Sequence, residues 1–171
     1  MDALTAIKTR RSTRFFTDAP VTDEQVEILL RAAMAAPSAH NQQPWRFVVV
    51  RSPEQLQRMA VATQYAAPVG RAPLGIVVLA ETRESKAPGF WVEDCSAAVQ
   101  NLLLAAHAIG LGGVWIGVYP NPEREAVVRA LAGAPDGFEA LAMIAVGTPE
   151  GPRPDVDRFN PEFVRHERWD A

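Results

Sequence analysis

The sequence predicts an α+β fold or a mixed α/β/α three-layer fold, and three observations lead to this class. About five segments have helical periodicity and about four have the composition of strands, but the two kinds do not alternate strictly. Of the 171 residues, 48% are hydrophobic and 22% are charged, which is an ordinary globular composition with a core to bury. A chain of this length is expected to form a single domain over residues 1–171.

Net charge and cysteine content limit the classes of partner and compartment. A formal charge of -3 gives no overall basic field, so we expect neither nucleic acid nor a membrane as a partner. No apolar run approaches the roughly 18 residues that a membrane span needs. The single cysteine, Cys95, cannot form an internal disulfide, and no signal-peptide pattern is present. We therefore expect a reduced cytoplasmic protein.

Helices are predicted from apolar spacing and from residues that cap helix ends. The first covers residues 2–9, and the second follows Thr22, which has the spacing of a capping box with Gln25. A third helix is predicted to begin at Pro53, after the capping residue Ser52. Helical spacing gives the second helix a predicted buried face of Val26, Leu29, Leu30, Ala33 and Met34.

The longest predicted helix covers residues 91–109 and is apolar on most of its circumference, which is typical of a central helix. Gly110, Gly112 and Gly113 are predicted to end it. A fifth helix, with an Asn–Pro start and a glycine end, is predicted over residues 121–133. Strands are predicted over residues 45–51, 74–81, 114–118 and 138–147.

Residues 148–171 differ in composition from the rest of the chain, because they hold four of its 14 prolines. We expect this segment to be an extended C-terminal arm. It carries Phe159, Phe163 and Trp169, and aromatic side chains of this size are seldom left wholly in water. The arm is therefore expected to dock on another surface.

A basic segment follows the first predicted helix. Arg10, Arg11 and Arg14 lie within five positions, with Ser12 between them. Guanidinium forks and a hydroxyl suit the oxygens of a dianionic phosphate. The alternative, a solvated basic turn without a ligand, stays open from this string alone.

A second polar segment joins the second helix to the first strand over residues 36–45. It includes Pro37, Ser38, Asn41 and Gln43 and is dense in amide and hydroxyl groups. Such a loop can present several donors and acceptors to a planar polar ring. The alternative is a turn satisfied by its own Asx-type hydrogen bonds.

Other common site types are not favoured by the sequence. His40, His107 and His166 have no ligand spacing with Cys95 or with paired carboxylates, so no metal site is expected. A G-x-S-x-G string is absent, which argues against a serine hydrolase. The glycines after the long helix precede β-forming residues rather than a helix, which disfavours a Rossmann dinucleotide site.

Four segments in order resemble the FMN-dependent nitroreductase family, and the resemblance covers nearly the whole chain. They are RRSTRFF at 10–16, APSAHNQQPWRFVVV at 36–50, EDCSAAVQNLLLAAHAIGLGGVWIG at 93–117 and DRFNPEFV at 157–164. The resemblance implies a nitroreductase-like fold with a mixed, mostly antiparallel sheet flanked by helices. It also implies an intertwined homodimer with FMN at the interface, on whose partner subunit the arm of residues 148–171 would dock.

The resemblance also implies the cofactor-binding residues. Arg10 and Ser12 match positions that hold the FMN phosphate and ribityl chain, Arg11 lies beside them, and Arg158 matches a C-terminal arginine at the phosphate. Arg14 matches a basic residue at the pyrimidine edge, where a fixed cation favours the reduced flavin.

Further matches concern the flavin ring itself. Pro37, Ser38, Asn41 and Gln43 match the loop along its edge. Ile116 and Gly117 match a turn whose backbone N–H faces flavin N5, so no side chain is expected to act in catalysis.

Some positions depart from the family pattern. Val156 stands where larger members have a lysine, and Arg153 is a candidate replacement for that phosphate contact. A polar contact is expected near Gln64. Phe90 and Trp91 are candidates for the wall of the substrate pocket, and the alternative for both is a role as core anchors at a helix start.

The implied activity is a ping-pong oxidoreductase in which NADH or NADPH delivers hydride to FMN and an acceptor such as a nitroaromatic or quinone removes it. Two alternatives remain at this stage. One is a flavin enzyme of the same fold with different chemistry, such as flavin fragmentation or dehalogenation. The other is a flavin-binding module without turnover. The sequence does not distinguish NADH from NADPH.

Overall fold

The computed structural model describes residues 1–152, 154 and 156–169 of the chain. Five α-helices and four β-strands make up this part, which confirms the predicted α+β class. Their order is α1 (Ala3–Thr9), α2 (Asp23–Met34), β1 (Trp45–Val50), α3 (Pro53–Ala60), β2 (Leu74–Glu81), α4 (Trp91–Ala108), β3 (Gly112–Gly117), α5 (Pro122–Ala132) and β4 (Phe138–Gly147).

The four strands form one sheet in the order β1-β2-β4-β3, and every neighbouring pair is antiparallel. Within the described residues, the only parallel pairing is the isolated bridge between Ser12 and Gly113. The mixed character expected of the sheet is therefore confined to that bridge. A bulge lies opposite Val78 and Leu79, where Leu141 is the extra residue of β4.

Helices cover both faces of the sheet, as the three-layer prediction requires. On one face, α4 packs on β2, whose alternate residues such as Ile76 and Val78 belong to the same core, and α2 packs against α4. On the other face, Leu56 and Met59 of α3 and Val128 of α5 pack on the intervening residues. The residues of β2 are nearly all buried, because the strand is covered on both sides.

The predicted helix caps are confirmed. Thr22 and Gln25 form both bonds of a capping box at the start of α2. The predicted buried face of α2 is wrong at Met34, which is 50% exposed. It is the last residue of the helix, and periodicity identifies a face without showing how far the neighbouring helix covers it.

The end of α4 differs from the prediction. Gly110 has φ 84° and ends the helix in the left-handed region, as expected. Gly112 and Gly113, however, belong to β3 rather than to the helix end. A Cβ on Gly112 would collide with the side chain of Thr13, so the glycine is needed where the segment of residues 10–14 lies alongside the strand.

Residues 148–169 have no α-helix or sheet strand in their described part, which is consistent with an extended arm. The arm is joined to the body by an isolated bridge between Phe16 and Pro149 and by a bond from Thr17 N to Thr148 O of 2.9 Å. Phe159 and Phe163 are exposed in the single chain. Docking of the arm on a partner subunit stays a prediction.

Candidate functional site

The segment of residues 10–14 lies along the start of β3. Thr13 N donates to Gly113 O at 3.0 Å, and Ser12 forms the parallel bridge to the same glycine. Thr13 is buried, whereas Ser12 is half-buried and Arg14 is exposed. In an extended segment successive side chains point to opposite sides, so anchoring Thr13 inward turns Ser12 and Arg14 outward.

Arg10, Arg11 and Arg158 form what we call the arginine cluster. Burial lowers the pKa of Arg10, and the positive charges of Arg11 and Arg158 lower it further. The three side chains line a cavity of about 220 Å³. Among the described residues Arg10 has no carboxylate ion pair, and Asp157 at the same cavity accepts from Phe159 N at 3.0 Å. The cluster therefore has the charge of an anion site.

Within the cluster, Arg11 is bonded to the protein itself. Its guanidinium donates to the carbonyls of Lys8 and Arg10, and also to those of Pro154 and Val156 at 3.3 and 3.0 Å. These bonds hold the arm against the body. The backbone of Val156 thus has a structural role, while the candidate Arg153 lies outside the described residues.

A cleft of about 590 Å³ brings together four predicted site residues from three segments. Arg14 comes from the basic segment, Gln64 from the loop after α3, and Ile116 and Gly117 from the end of β3. A Cβ placed on Gly117 would meet nothing within 4 Å, so the space in front of this glycine is open. A planar ligand can approach the backbone there, which fits the expected flavin site.

The loop of residues 37–43 is bonded internally. Ser38 Oγ accepts from Gln43 N at 3.1 Å, and Gln43 Nε2 donates to Asn41 Oδ1 at 3.0 Å. His40, Asn41 and Gln43 have φ values of 51°, 52° and 48°, in the left-handed region that side chains disfavour. Pro37, Ser38, Asn41 and Gln43 line neither the cleft nor the cluster cavity within the described part of this chain.

A buried carboxylate fixes this loop, and the sequence did not reveal it. Asp94, in the first turn of α4, is 4% exposed. Its Oδ1 accepts from Ala39 N at 2.8 Å and its Oδ2 from Gln42 Nε2 at 2.7 Å. Gln42 Oε1 in turn accepts from Ser85 Oγ and Ala87 N. The available signal was a carboxylate at the start of a helix that is otherwise apolar on most sides.

The two aromatic candidates for the pocket wall have different environments. Trp91 is buried in the core on the α2 and α4 side, and its ring meets Tyr119 edge-on with centroids 4.9 Å apart. Phe90 is exposed. Neither residue lines the 590 Å³ cleft, and the position of Trp91 agrees with the core-anchor alternative.

Cys95, the single cysteine, is buried in the core. Burial, together with the negative charge of Asp94, raises the pKa of Cys95 to about 12, so this thiol stays protonated. Among the residues that the structure describes, no group of three or more His, Cys, Asp or Glu side chains could hold a metal ion. No helix in the described ranges has both the length and the apolar composition for a membrane crossing.

The model of the family described as "Nitroreductase family" matches residues 7–148. An Archaeoglobus fulgidus protein, provisionally named an NADH dehydrogenase/NAD(P)H nitroreductase, is 43% identical, and the match covers 98% of this chain and 99% of that protein.

Solved structures agree with this match. A protein with the same provisional name from Parabacteroides distasonis has a TM-score of 0.92 at 39% identity, covering 98% of each chain. A provisionally named nitroreductase from Desulfovibrio desulfuricans, solved in complex with FMN, has a TM-score of 0.85 at 35% identity, covering 99% of each chain. The chain belongs to the nitroreductase family.

Proposed function

We propose that the chain is an FMN-dependent oxidoreductase that takes hydride from NADH or NADPH and reduces an acceptor such as a nitroaromatic or a quinone. The observation that carries this proposal is the open cleft in which Arg14, Gln64 and Gly117 meet. These positions come from three separated segments, and each was expected at the flavin from the family resemblance. The FMN-bound relative supports the choice of cofactor.

The arginine cluster is the proposed phosphate site of the cofactor. Arg10 and Arg158 hold positive charge beside a cavity, and Ser12 is half-buried on the same segment as Arg10. Guanidinium groups without a carboxylate partner bind phosphate through short, charge-assisted bonds. Arg11 supports the site indirectly, because its donors are already used on backbone carbonyls.

The redox chemistry is supplied by bound FMN, which accepts a hydride equivalent from NAD(P)H and gives two electrons to the acceptor. For a nitroaromatic, the balanced reaction is R–NO₂ + NAD(P)H + H⁺ → R–NO + NAD(P)⁺ + H₂O. The role of Arg14 is to place a fixed cation where negative charge develops on the ring. Gly117 leaves its backbone accessible, and solvent supplies the proton.

A homodimer is the proposed working unit, with 1–171 as a single domain and 148–171 as an arm on the partner. An apolar groove of about 430 Å³ lies between α1, α2 and α4, and Leu4 and Ile7 of α1 are exposed beside it. Such a face is typical of an interface. The loop of residues 37–43 does not line the cleft within one chain, which supports sites shared between two subunits.

The cytoplasm is the proposed compartment. NAD(P)H is a cytoplasmic reductant, and the single cysteine, Cys95, is buried and cannot form an internal disulfide.

Purified protein supplemented with FMN tests the proposal. After gel filtration, we expect the protein peak to carry stoichiometric flavin and to consume NADH or NADPH when a nitroaromatic is added. A protein peak without flavin would overturn the proposal. Retained flavin without turnover of either nicotinamide would instead identify a binding module.

A further inference from the structure

We propose that Arg71 and Arg124 form an anion subsite within the cleft, so that the preferred acceptors are aromatic or quinoid molecules that carry a carboxylate. This inference rests on the proposed function and names the substrate class of the same site. Both arginines line the 590 Å³ cleft together with Arg14. Neither belongs to the positions that the family resemblance assigned to the cofactor.

Aromatic rings hold both guanidinium groups at the wall of the cleft. Arg71 ends the 3₁₀ turn Val69–Arg71, and its guanidinium carbon lies 4.9 Å from the centroid of the Phe15 ring. Arg124, in the first turn of α5, lies 5.3 Å from the centroid of the Tyr65 ring. Stacking limits the motion of the side chain and leaves the N–H donors, which lie in the plane of the guanidinium group, free to bind a ligand.

The described residues of the protein do not neutralise the charge of the cleft. No carboxylate is among the described residues that line it, and Arg14, Arg71 and Arg124 have no ion pair in the described chain. Glu123 and Glu125 flank Arg124 in sequence, but neither lines the cleft. Three positive charges thus face one opening in a protein whose net charge is -3.

The cofactor accounts for only part of this charge. Arg14 provides the cation proposed for the flavin ring, and the cofactor phosphate has Arg10 and Arg158 at a different cavity. Arg71 and Arg124 are left for a second anion. In a ping-pong reaction NAD(P)⁺ leaves before the acceptor enters, so in that half-reaction the anion comes with the acceptor. A carboxylate can accept two parallel hydrogen bonds from one guanidinium group. Tyr65 and Trp115 also line the cleft, and their rings can pack against the aromatic or quinoid ring of the acceptor.

The test compares 4-nitrobenzoate with 4-nitrobenzamide, which share the ring and the nitro group and differ in charge. FMN-loaded wild type, Arg71→Gln and Arg124→Gln are compared in steady-state kinetics and in calorimetric titrations with each acceptor. Arg83→Gln is the matched control, because Arg83 stacks over Phe138 at 5.8 Å and lies outside the cleft.

We expect wild type to bind the benzoate more tightly than the benzamide. Each cleft variant should lower kcat/KM for 4-nitrobenzoate roughly tenfold, the scale of one lost charge-assisted bond, through KM rather than kcat. Its effect on 4-nitrobenzamide should stay below about twofold, as should the effect of Arg83→Gln on both acceptors. Added salt should weaken binding of the benzoate alone.

Two results would overturn the subsite. One is equal affinity of wild type for the two acceptors, which titration measures even if neither is reduced. The other is a loss of FMN affinity in Arg71→Gln or Arg124→Gln, which would assign these arginines to the cofactor. Retained discrimination in titrations without reduction of either acceptor would support the subsite while the proposed oxidoreductase activity fails.

Discussion

The loop of residues 37–43 and the arginine cluster are both polar and both match family motifs. They differ in how far the protein itself provides partners for their polar groups. In the loop, Asp94 and Gln42 satisfy one another and the neighbouring backbone at distances near 3 Å. In the cluster, Arg10 is partly buried beside two other positive charges, and its pKa is lowered. The polar groups of the loop have their hydrogen-bond partners within the protein, whereas the arginines of the cluster have no ion pair in the described chain.

This difference separates residues that build the site from residues that bind in it. A buried hydrogen-bonded carboxylate contributes to folding whether or not a ligand is present. Adjacent positive charges oppose folding slightly and become favourable when an anion binds. Mutations in the two regions should therefore have opposite profiles, with loss of stability in the loop network and loss of cofactor affinity in the cluster.

The largest effect is expected from Asp94→Ala. It leaves Ala39 N and the Gln42 amide without their buried acceptor, which should reduce the free energy of unfolding by about 3 kcal/mol. The corresponding fall in Tm is roughly 6–12 °C for a chain of this size. Thermal unfolding of FMN-free protein measures it, with the exposed neighbour Glu93→Ala as a control. An unchanged Tm would show that Asp94 does not hold the loop.

Arg10→Ala should give the opposite profile. Loss of a charge-assisted phosphate contact should weaken FMN binding about 10- to 100-fold. The Tm of the FMN-free protein should stay the same or rise, because a repulsion with Arg11 and Arg158 is removed. Fluorescence titration with FMN measures the affinity, and Arg31→Ala, which removes an exposed pair with Glu27, is the control. Unchanged FMN affinity would remove Arg10 from the phosphate site.

Much of the fold was predictable because its signals are local. The capping box at Thr22, the left-handed Gly110 and the boundaries of β4 follow from spacing and backbone preference within a few residues. The cleft was also anticipated in part, since Arg14 and Gly117 belong to recognisable strings and the structure brings them together.

The loop network was not predictable, because its bonds join distant residues. Asp94 bonds to Ala39 across 55 positions, and a carboxylate near a helix start is ordinarily exposed. Nothing in the NQQ string distinguishes Gln42, whose amide bonds to the distant Asp94, from Gln43, whose amide bonds to the nearby Asn41. The role of Gly112 in β3 likewise depends on Thr13, which only the fold places against it.

Arg11 combines features of the two regions. It lies in the arginine cluster, but its guanidinium is hydrogen-bonded to the protein itself, as the side chains of the loop network are. Arg11→Ala should weaken FMN binding clearly less than Arg10→Ala does, since the donors of Arg11 already serve carbonyls and it acts on the site only through the arm that carries Arg158. It should release the arm at Pro154 and Val156, so that limited proteolysis cuts the arm faster than in wild type. If Arg11→Ala weakens FMN binding as strongly as Arg10→Ala while the arm is cut no faster than in wild type, the guanidinium of Arg11 binds the phosphate directly.

The smallest effect concerns His107, whose Nε2 lies 2.8 Å from Thr9 Oγ1. Thr9 gives its own proton to Thr5 O, so His107 Nε2–H is the donor. Burial, with the charges of Arg10 and Arg11, lowers the pKa of His107 below 6.5. As pH falls, His107 is therefore protonated in the unfolded chain before it is protonated in the folded chain. The free energy of unfolding should decrease as pH falls below about 6.5.

Urea unfolding at several pH values measures this dependence. In His107→Gln the part of the slope that lies just below pH 6.5 should disappear, while stability at pH 8 changes little. An identical slope in wild type and His107→Gln would show that another group titrates there.

Anaerobic mixing of the FMN-loaded protein with NADH and, separately, with NADPH tests the central claim most directly. The account predicts that at least one nicotinamide bleaches the visible flavin band in a single rapid phase, and that a nitroaromatic added afterwards restores the band. A band that neither nicotinamide bleaches, on protein that demonstrably holds FMN, would contradict the assignment as an NAD(P)H-dependent oxidoreductase.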